Sequence, residues 1–158
     1  MQKNHNSLQA SILDRLIDEE PGLSREPVQY RLVSVGQMRG GVIRDLENLL
    51  NTRRIVVSPP EAYEEVNNSL FVYGLKDYTA HNPKSPTARQ QLRMDIEKTV
   101  SLFEPRLRNV NVHVETPSPG ERSVKFRITA MLVVEPIAEP ITFDTFFDIH
   151  KGEWIISR

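Results

Sequence analysis

Apolar residues recur along this chain at two different periods, every three or four positions in the first two thirds and every second position in the last third. From Ser7 to Asp18, Leu8, Ile12, Leu13, Leu16 and Ile17 form a stripe opposite Asp14, Arg15 and Asp18, which predicts a helix that packs on its own domain or docks into a partner's groove. Glu19 to Leu32, with Pro21, Gly22 and Pro27 among many charges, reads as a linker. Ser34 followed by Gln37 has the spacing of a capping box and opens a second helix, with Met38, Val42, Leu46, Leu49 and Leu50 on one face and Asn51 as a left-handed terminator. Gly40 and Gly41 each cost such a helix about 1 kcal/mol relative to alanine, so either the backbone is closely approached there or the first turn is irregular.

After the apolar run Ile55 to Val57, Ser58-Pro59-Pro60-Glu61 repeats the cap signature and predicts one or two helical turns as far as Val66, ended by Asn67-Asn68. Tyr73-Gly74 marks a sharp turn, and Lys76 to Lys84 a surface loop. Ser85-Pro86 opens the last helix, whose core face is Leu92, Ile96, Val100 and Phe103. From Arg108 the period becomes two: Val110, Val112 and Val114 mark one strand, and Val124 to Val134 a second. Pro136 and Pro140 bracket a turn before a third strand from Ile141 to Ile149. Beyond His150-Lys151-Gly152, Trp154 and Ile156 mark a fourth. The expected fold is α+β, with N-terminal helices packed on one face of a C-terminal antiparallel meander of about four strands. Residues 1–33 form a helix and linker, and residues 34–158 the main domain.

Composition narrows the function classes. The net charge of -1 gives no long-range pull toward phosphate backbones or anionic lipid, so nucleic acid is not an expected partner. Without cysteine there is no disulfide framework, thiolate nucleophile or cysteine-based zinc site. The polar start and the charges that interrupt the first apolar run give neither a signal peptide nor a membrane span, so a cytoplasmic protein without membrane insertion is expected.

Pro105 lacks an amide hydrogen and disfavours helical angles at Glu104, so the last helix should stop at Phe103-Glu104-Pro105-Arg106-Leu107. In extended chain Glu104 and Arg106 share a face, a two-charge patch that either clamps another chain or braces its own. Catalysis has little to work with. A glycosidase needs two carboxyl groups about 5 to 9.5 Å apart, whereas Asp144 and Asp148 on one strand face are ~13 Å apart at the backbone. Glu135 and Glu139 flank a turn, where solvated carboxylates are ordinary. His5, His81, His113 and His150 lack the helical pairing of a zinc site, and no phosphate loop or nucleophile elbow is present. No cofactor or metal is expected. The short last strand, through Ile156, is a candidate open sheet edge, and such an edge either needs protection or accepts a strand from a partner.

Several blocks together resemble the TssE family, the small baseplate wedge proteins of type VI secretion systems, and the related "lysozyme-like" wedge proteins of contractile phage tails. They are Ser11-Ile12-Leu13-Asp14-Arg15-Leu16, Asp45 to Arg53, Tyr73-Gly74-Leu75, Phe103-Glu104-Pro105-Arg106-Leu107, Val134-Glu135-Pro136 and Phe143-Asp144-Thr145, in family order. The resemblance implies a structural protein, not an enzyme, which joins the wedge core to the first ring of the contractile sheath and helps nucleate it. It implies as partners the baseplate proteins TssF, TssG and TssK and the sheath proteins TssB and TssC, and a place in the baseplate at the cytoplasmic side of the inner membrane. The resemblance assigns baseplate attachment to Glu104, Pro105 and Arg106, and likens the sheet to the sheath's strand-exchanging domain. Alternatives are a peptidoglycan-cleaving glycosidase or a free-standing interaction adaptor.

Overall fold

The structure, a computed structural model, describes residues 8–9, 11–17, 21–22, 32–78, 85–115, 125–135, 137–148 and 152–157. In chain order the elements are β1 (Leu8–Gln9), α1 (Ile12–Leu16), β2 (Leu32–Val33), α2 (Val35–Asn51), α3 (Glu64–Asn67), a 3-10 turn at Leu70–Val72, α4 (Pro86–Phe103), β3 (Leu107–Val114), β4 (Lys125–Val134), β5 (Ile137–Asp148) and β6 (Glu153–Ser157). β3 to β6 form an antiparallel meander in sequence order, and α2 and α4 cover one of its faces, which is the expected α+β arrangement. No helix among the described residues is long and apolar enough to cross a membrane.

The core forms where the helical stripe meets the strand alternation. Val42, Leu46, Leu49 and Leu50 of α2 and Leu92, Ile96 and Val100 of α4 lie against Val112, Phe126, Ile128, Leu132, Ile141, Phe143 and Ile156 of the sheet. Thr99 and Thr145 are buried with them. The Ser34 capping box forms in full, the Ser34 hydroxyl accepting from the Gln37 amide and the Gln37 side chain from the Ser34 amide. The Ser85 hydroxyl caps α4, with Pro86 at its first position.

Local expectations fail where longer-range contacts compete with them. Only Ile12–Leu16 of the first predicted helix is helical, because Ser11 caps it on Asp14 and the chain before the cap is extended, Leu8 pairing with Val33. Asn51 does not terminate α2 in the left-handed region; it is the last helical residue, with extended Thr52 as the C-cap, and its side chain is used on β6. The Ser58 cap does not form. The Pro60 carbonyl instead accepts from the Tyr63 amide, closing a turn, and α3 starts only at Glu64. Pro140 lies within β5, opposite Met131, and not in a turn. Its missing N–H faces away from β4 on a stretch that β6 does not reach, so no ladder bond is lost. Ser7, Asp18, His5, His81, Thr116 to Val124, Ile149 and His150 lie outside the described residues.

Arg54 ties the middle of the chain to α4. Its guanidinium donates to the Gly74 carbonyl (2.9 and 2.7 Å) and to Thr99 Oγ1 (2.6 Å), and pairs with Asp95 at 3.0 Å. Arg54 N and Leu75 N close the same junction on the Leu75 and Thr52 carbonyls. Gly74 has φ +93°, and a Cβ there would collide with the Thr52 carbonyl, so glycine is required.

Candidate functional site

Five backbone and side-chain contacts turn the chain sharply between α4 and β3. Glu104 N bonds the Val100 carbonyl (2.9 Å) to end the helix, and Leu107 N bonds the Glu104 carbonyl (3.0 Å) to close a turn. Glu104 and Arg106 therefore meet across a turn and not on the face of an extended strand. One Glu104 oxygen accepts from Arg106 N (3.2 Å) and Nε (2.6 Å), the other from Nη2. Nη2 also donates to Asp45 Oδ2 at 2.6 Å, from α2. Glu104 is only 4% exposed, so most of the two-charge patch is an internal brace.

The brace continues to α1. Arg44 donates to Asp45 Oδ1 (3.1 and 3.0 Å) and pairs with Asp14 Oδ1 (2.7 Å), and Ser11 Oγ donates to Asp14 Oδ2 (2.6 Å). Three carboxylates and two guanidiniums thus run in one chain from α1 through α2 to the elbow. Gly41 lies beneath it: an added Cβ would stand 3.3 Å from Asp14 Oδ2 and 3.9 Å from Arg106 Nη1. The close approach implied by the glycine pair holds at Gly41, while Gly40 faces open space. Burial works against the positive charge of Arg106, but bonds and attraction from Glu104 and Asp45 outweigh it and hold its pKa above the ordinary guanidinium value. Burial likewise opposes the Asp14 carboxylate, and Ser11 and Arg44 still draw its pKa below the usual aspartate value.

One polar atom of this brace is left over. Arg106 Nη1 is buried and has no hydrogen-bond partner. Beside it opens a cleft of about 470 Å³, lined among others by Leu13, Leu49, Tyr73, Phe103, Pro105 and Arg106. Pro105, at the rim of this cleft, is exposed.

The two outer strands differ. On β6 the backbone groups of Trp154 and Ile156 point away from β5, and α2 occupies them: Trp154 N donates to Asn51 Oδ1 (2.7 Å), Asn51 Nδ2 to the Trp154 carbonyl (2.9 Å), and Ile156 N to Glu47 Oε1 (3.2 Å). The Ile156 side chain is 2% exposed in the core. The expectation of a free edge at the last strand is therefore corrected, because the two α2 side chains take the place a neighbouring strand would take. On β3, Glu115 N bonds the Lys125 carbonyl (3.0 Å), so Asn111 and His113 turn their backbone groups to β4, and Val112 and Val114 turn theirs outward. Among the described residues no hydrogen bond reaches those outward groups. A bulge with Asn109 at φ 53° marks the inner end of this open stretch.

Sequence reasoning placed Glu104, Pro105 and Arg106 together, and the structure does so too; it puts Ile156 in the core below β6. It missed Asp45, Arg44 and Asp14 as parts of the brace, and Glu47 and Asn51 as the cover of β6. The one local signal was Gly41, a helix-breaking residue in a helix. The remaining carboxylates considered for catalysis do not gather: Asp144 is ion-paired with Arg127 (2.7 Å), and Glu139 lies in β5 opposite Leu132. No group of three or more His, Asp or Glu among the described residues could hold a metal ion.

A protein-family model described as baseplate wedge protein gp25 matches residues 36–137, more than half of the chain, from α2 through the elbow and β4 to the start of β5. No curated protein matches. The elbow, its brace to Asp45 and the open strand β3 all lie inside that match, and the chain belongs to the baseplate wedge protein gp25 family.

Proposed function

We propose that this chain is the structural subunit that links the core of a type VI secretion baseplate wedge to the first ring of the contractile sheath and helps to nucleate sheath assembly. The wedge side is the elbow. Glu104 and Arg106 fix its shape, and exposed Pro105 and the apolar cleft receive a segment of the TssF and TssG core, with TssK nearby. The sheath side is β3, to which a strand of TssB or TssC adds. The assembly forms in the cytoplasm, at the inner membrane.

The observation that carries this reading is the contrast of edges: β6 is closed by Asn51 and Glu47, while Val112 and Val114 present unpaired backbone groups. An open edge is a template for strand addition, and β3 offers one where β6 does not. The test is Val114→Pro, since proline removes only an N–H that the ladder to β4 does not use. Co-expressed TssF and TssG are expected to co-purify with the variant as with the wild type, while sheath tubes on the baseplate disappear in cryo-electron images. Equal loss of both associations, or undiminished sheath assembly, would overturn the proposal.

A further inference from the structure

Between Arg54 and Gly74 the chain leaves the domain, makes a closed excursion and returns to within hydrogen-bond distance of its start, Arg53 bridging to Leu75. None of residues 55–73 is buried. The excursion nevertheless carries Ile55, Val56, Val57, Tyr63, Val66, Leu70 and Phe71, all exposed, with Val56 at 94% and Leu70 at 78%. A monomer's own stability does not account for so much apolar surface held in water; such surface marks a contact.

The excursion is also prefolded. Asn67 Nδ2 donates to the Pro60 and Tyr63 carbonyls (2.9 Å each), Ser69 Oγ donates to the Val66 carbonyl (2.9 Å), and the Phe71 amide donates back to Ser69 Oγ (3.2 Å). Its base is pinned by Arg54 on Gly74, Thr99 and Asp95. A surface already ordered in this way loses little conformational entropy on docking.

Its charges choose the partner. From Ile55 to Leu75 the sequence holds Glu61, Glu64 and Glu65 and no lysine or arginine. All three glutamates are exposed, and among the described residues no ion pair reaches them. An acidic, apolar projection repels an anionic membrane surface and suits an apolar protein face bordered by positive charge. We infer that residues 55–72 are a docking projection for a neighbouring protein whose apolar face is flanked by lysine or arginine, a contact separate from both the elbow and the β3 edge.

The probe is an amphipathic helical peptide of leucine and lysine, titrated against the full chain by fluorescence anisotropy, with a leucine–glutamate peptide of the same pattern beside it. Saturable binding of the first alone is expected. Reversing Glu61, Glu64 and Glu65 to lysine is expected to weaken it about tenfold, the summed effect of three exposed ion pairs. Val56→Ser with Leu70→Ser should weaken it as well. Because these side chains face solvent, circular dichroism melts of the variants should match the wild type, so that lost binding is not lost folding. Absence of binding, equal binding of the two peptides, or binding unchanged by either set of substitutions would overturn the inference. So would sedimentation showing that the projection pairs two copies of this chain, or flotation with phosphatidylserine vesicles that depends on Leu70. None of these readouts involves β3 or the elbow, so the fate of the sheath-coupling proposal is separate.

Discussion

β3 and β6 are both outer strands of one small sheet, yet they meet solvent in opposite ways. β6 lies under α2, and the amide of Asn51 gives and takes the two bonds that a further strand would have given to Trp154. β3 starts from the elbow, is kinked at Asn109 and then runs on with its outward amides unanswered at Val112 and Val114. An outer strand is therefore not an open edge by position alone. What decides is whether another element brings hydrogen-bonding groups to it, and a helix can do so with one well-placed amide and one carboxylate.

The largest effect is expected from a charge placed under the closed edge. Ile156→Asp puts a carboxylate into a core position, and it should destabilise the domain by more than about 4 kcal/mol, visible as loss of the cooperative melt in circular dichroism. His113→Asp, on the exposed face of β3, should stay within about 0.5 kcal/mol of the wild type by the same measurement. Comparable losses at the two positions would erase the distinction between the strands.

A smaller effect is expected where β3 begins. Arg106→Ala leaves Glu104 and Asp45 facing each other without their cation, and urea denaturation should show a loss of about 3 kcal/mol. A loss below about 1 kcal/mol would mean that the elbow is not held by this brace and that its charges are free for partners.

A loss smaller than that at Arg106 tests the cover itself. Asn51→Leu removes both bonds to Trp154 and should cost about 1 to 2 kcal/mol, while leaving a second open edge. Sedimentation velocity should then show concentration-dependent association stronger than that of the wild type. A variant that associates no more than the wild type while losing this stability would show that Asn51 braces the helix on the sheet without guarding the strand.

Some of this was legible in the sequence for reasons that act over a few residues. The Ser34 and Ser85 caps, the apolar stripes of α2 and α4 and the alternation of Phe126, Ile128, Ala130 and Leu132 depend on backbone geometry repeated locally, and each formed as its spacing implies. Where two local signals conflicted, the reading went astray: Leu8 belongs by period to a helix but lies before the Ser11 cap, and Pro140 looks like a turn residue but falls where β5 has no neighbour on that side. At the elbow, Glu104-Pro105-Arg106 marked the place but not the state of its charges, because Asp45, the third member, comes from a helix 61 positions away.

By itself, then, the order of residues determined the α+β class, the starts of α2 and α4 and the position of the corner at Pro105, since all of these follow from torsional preference and short-range periodicity. Only the tertiary structure decided that Arg106 is braced on two carboxylates, that Ile156 faces inward, that Asn51 and Glu47 close β6, and that β3 stays open. Those outcomes depend on which distant groups arrive within about 3 Å of one another, the reach over which a hydrogen bond forms whatever the local sequence prefers.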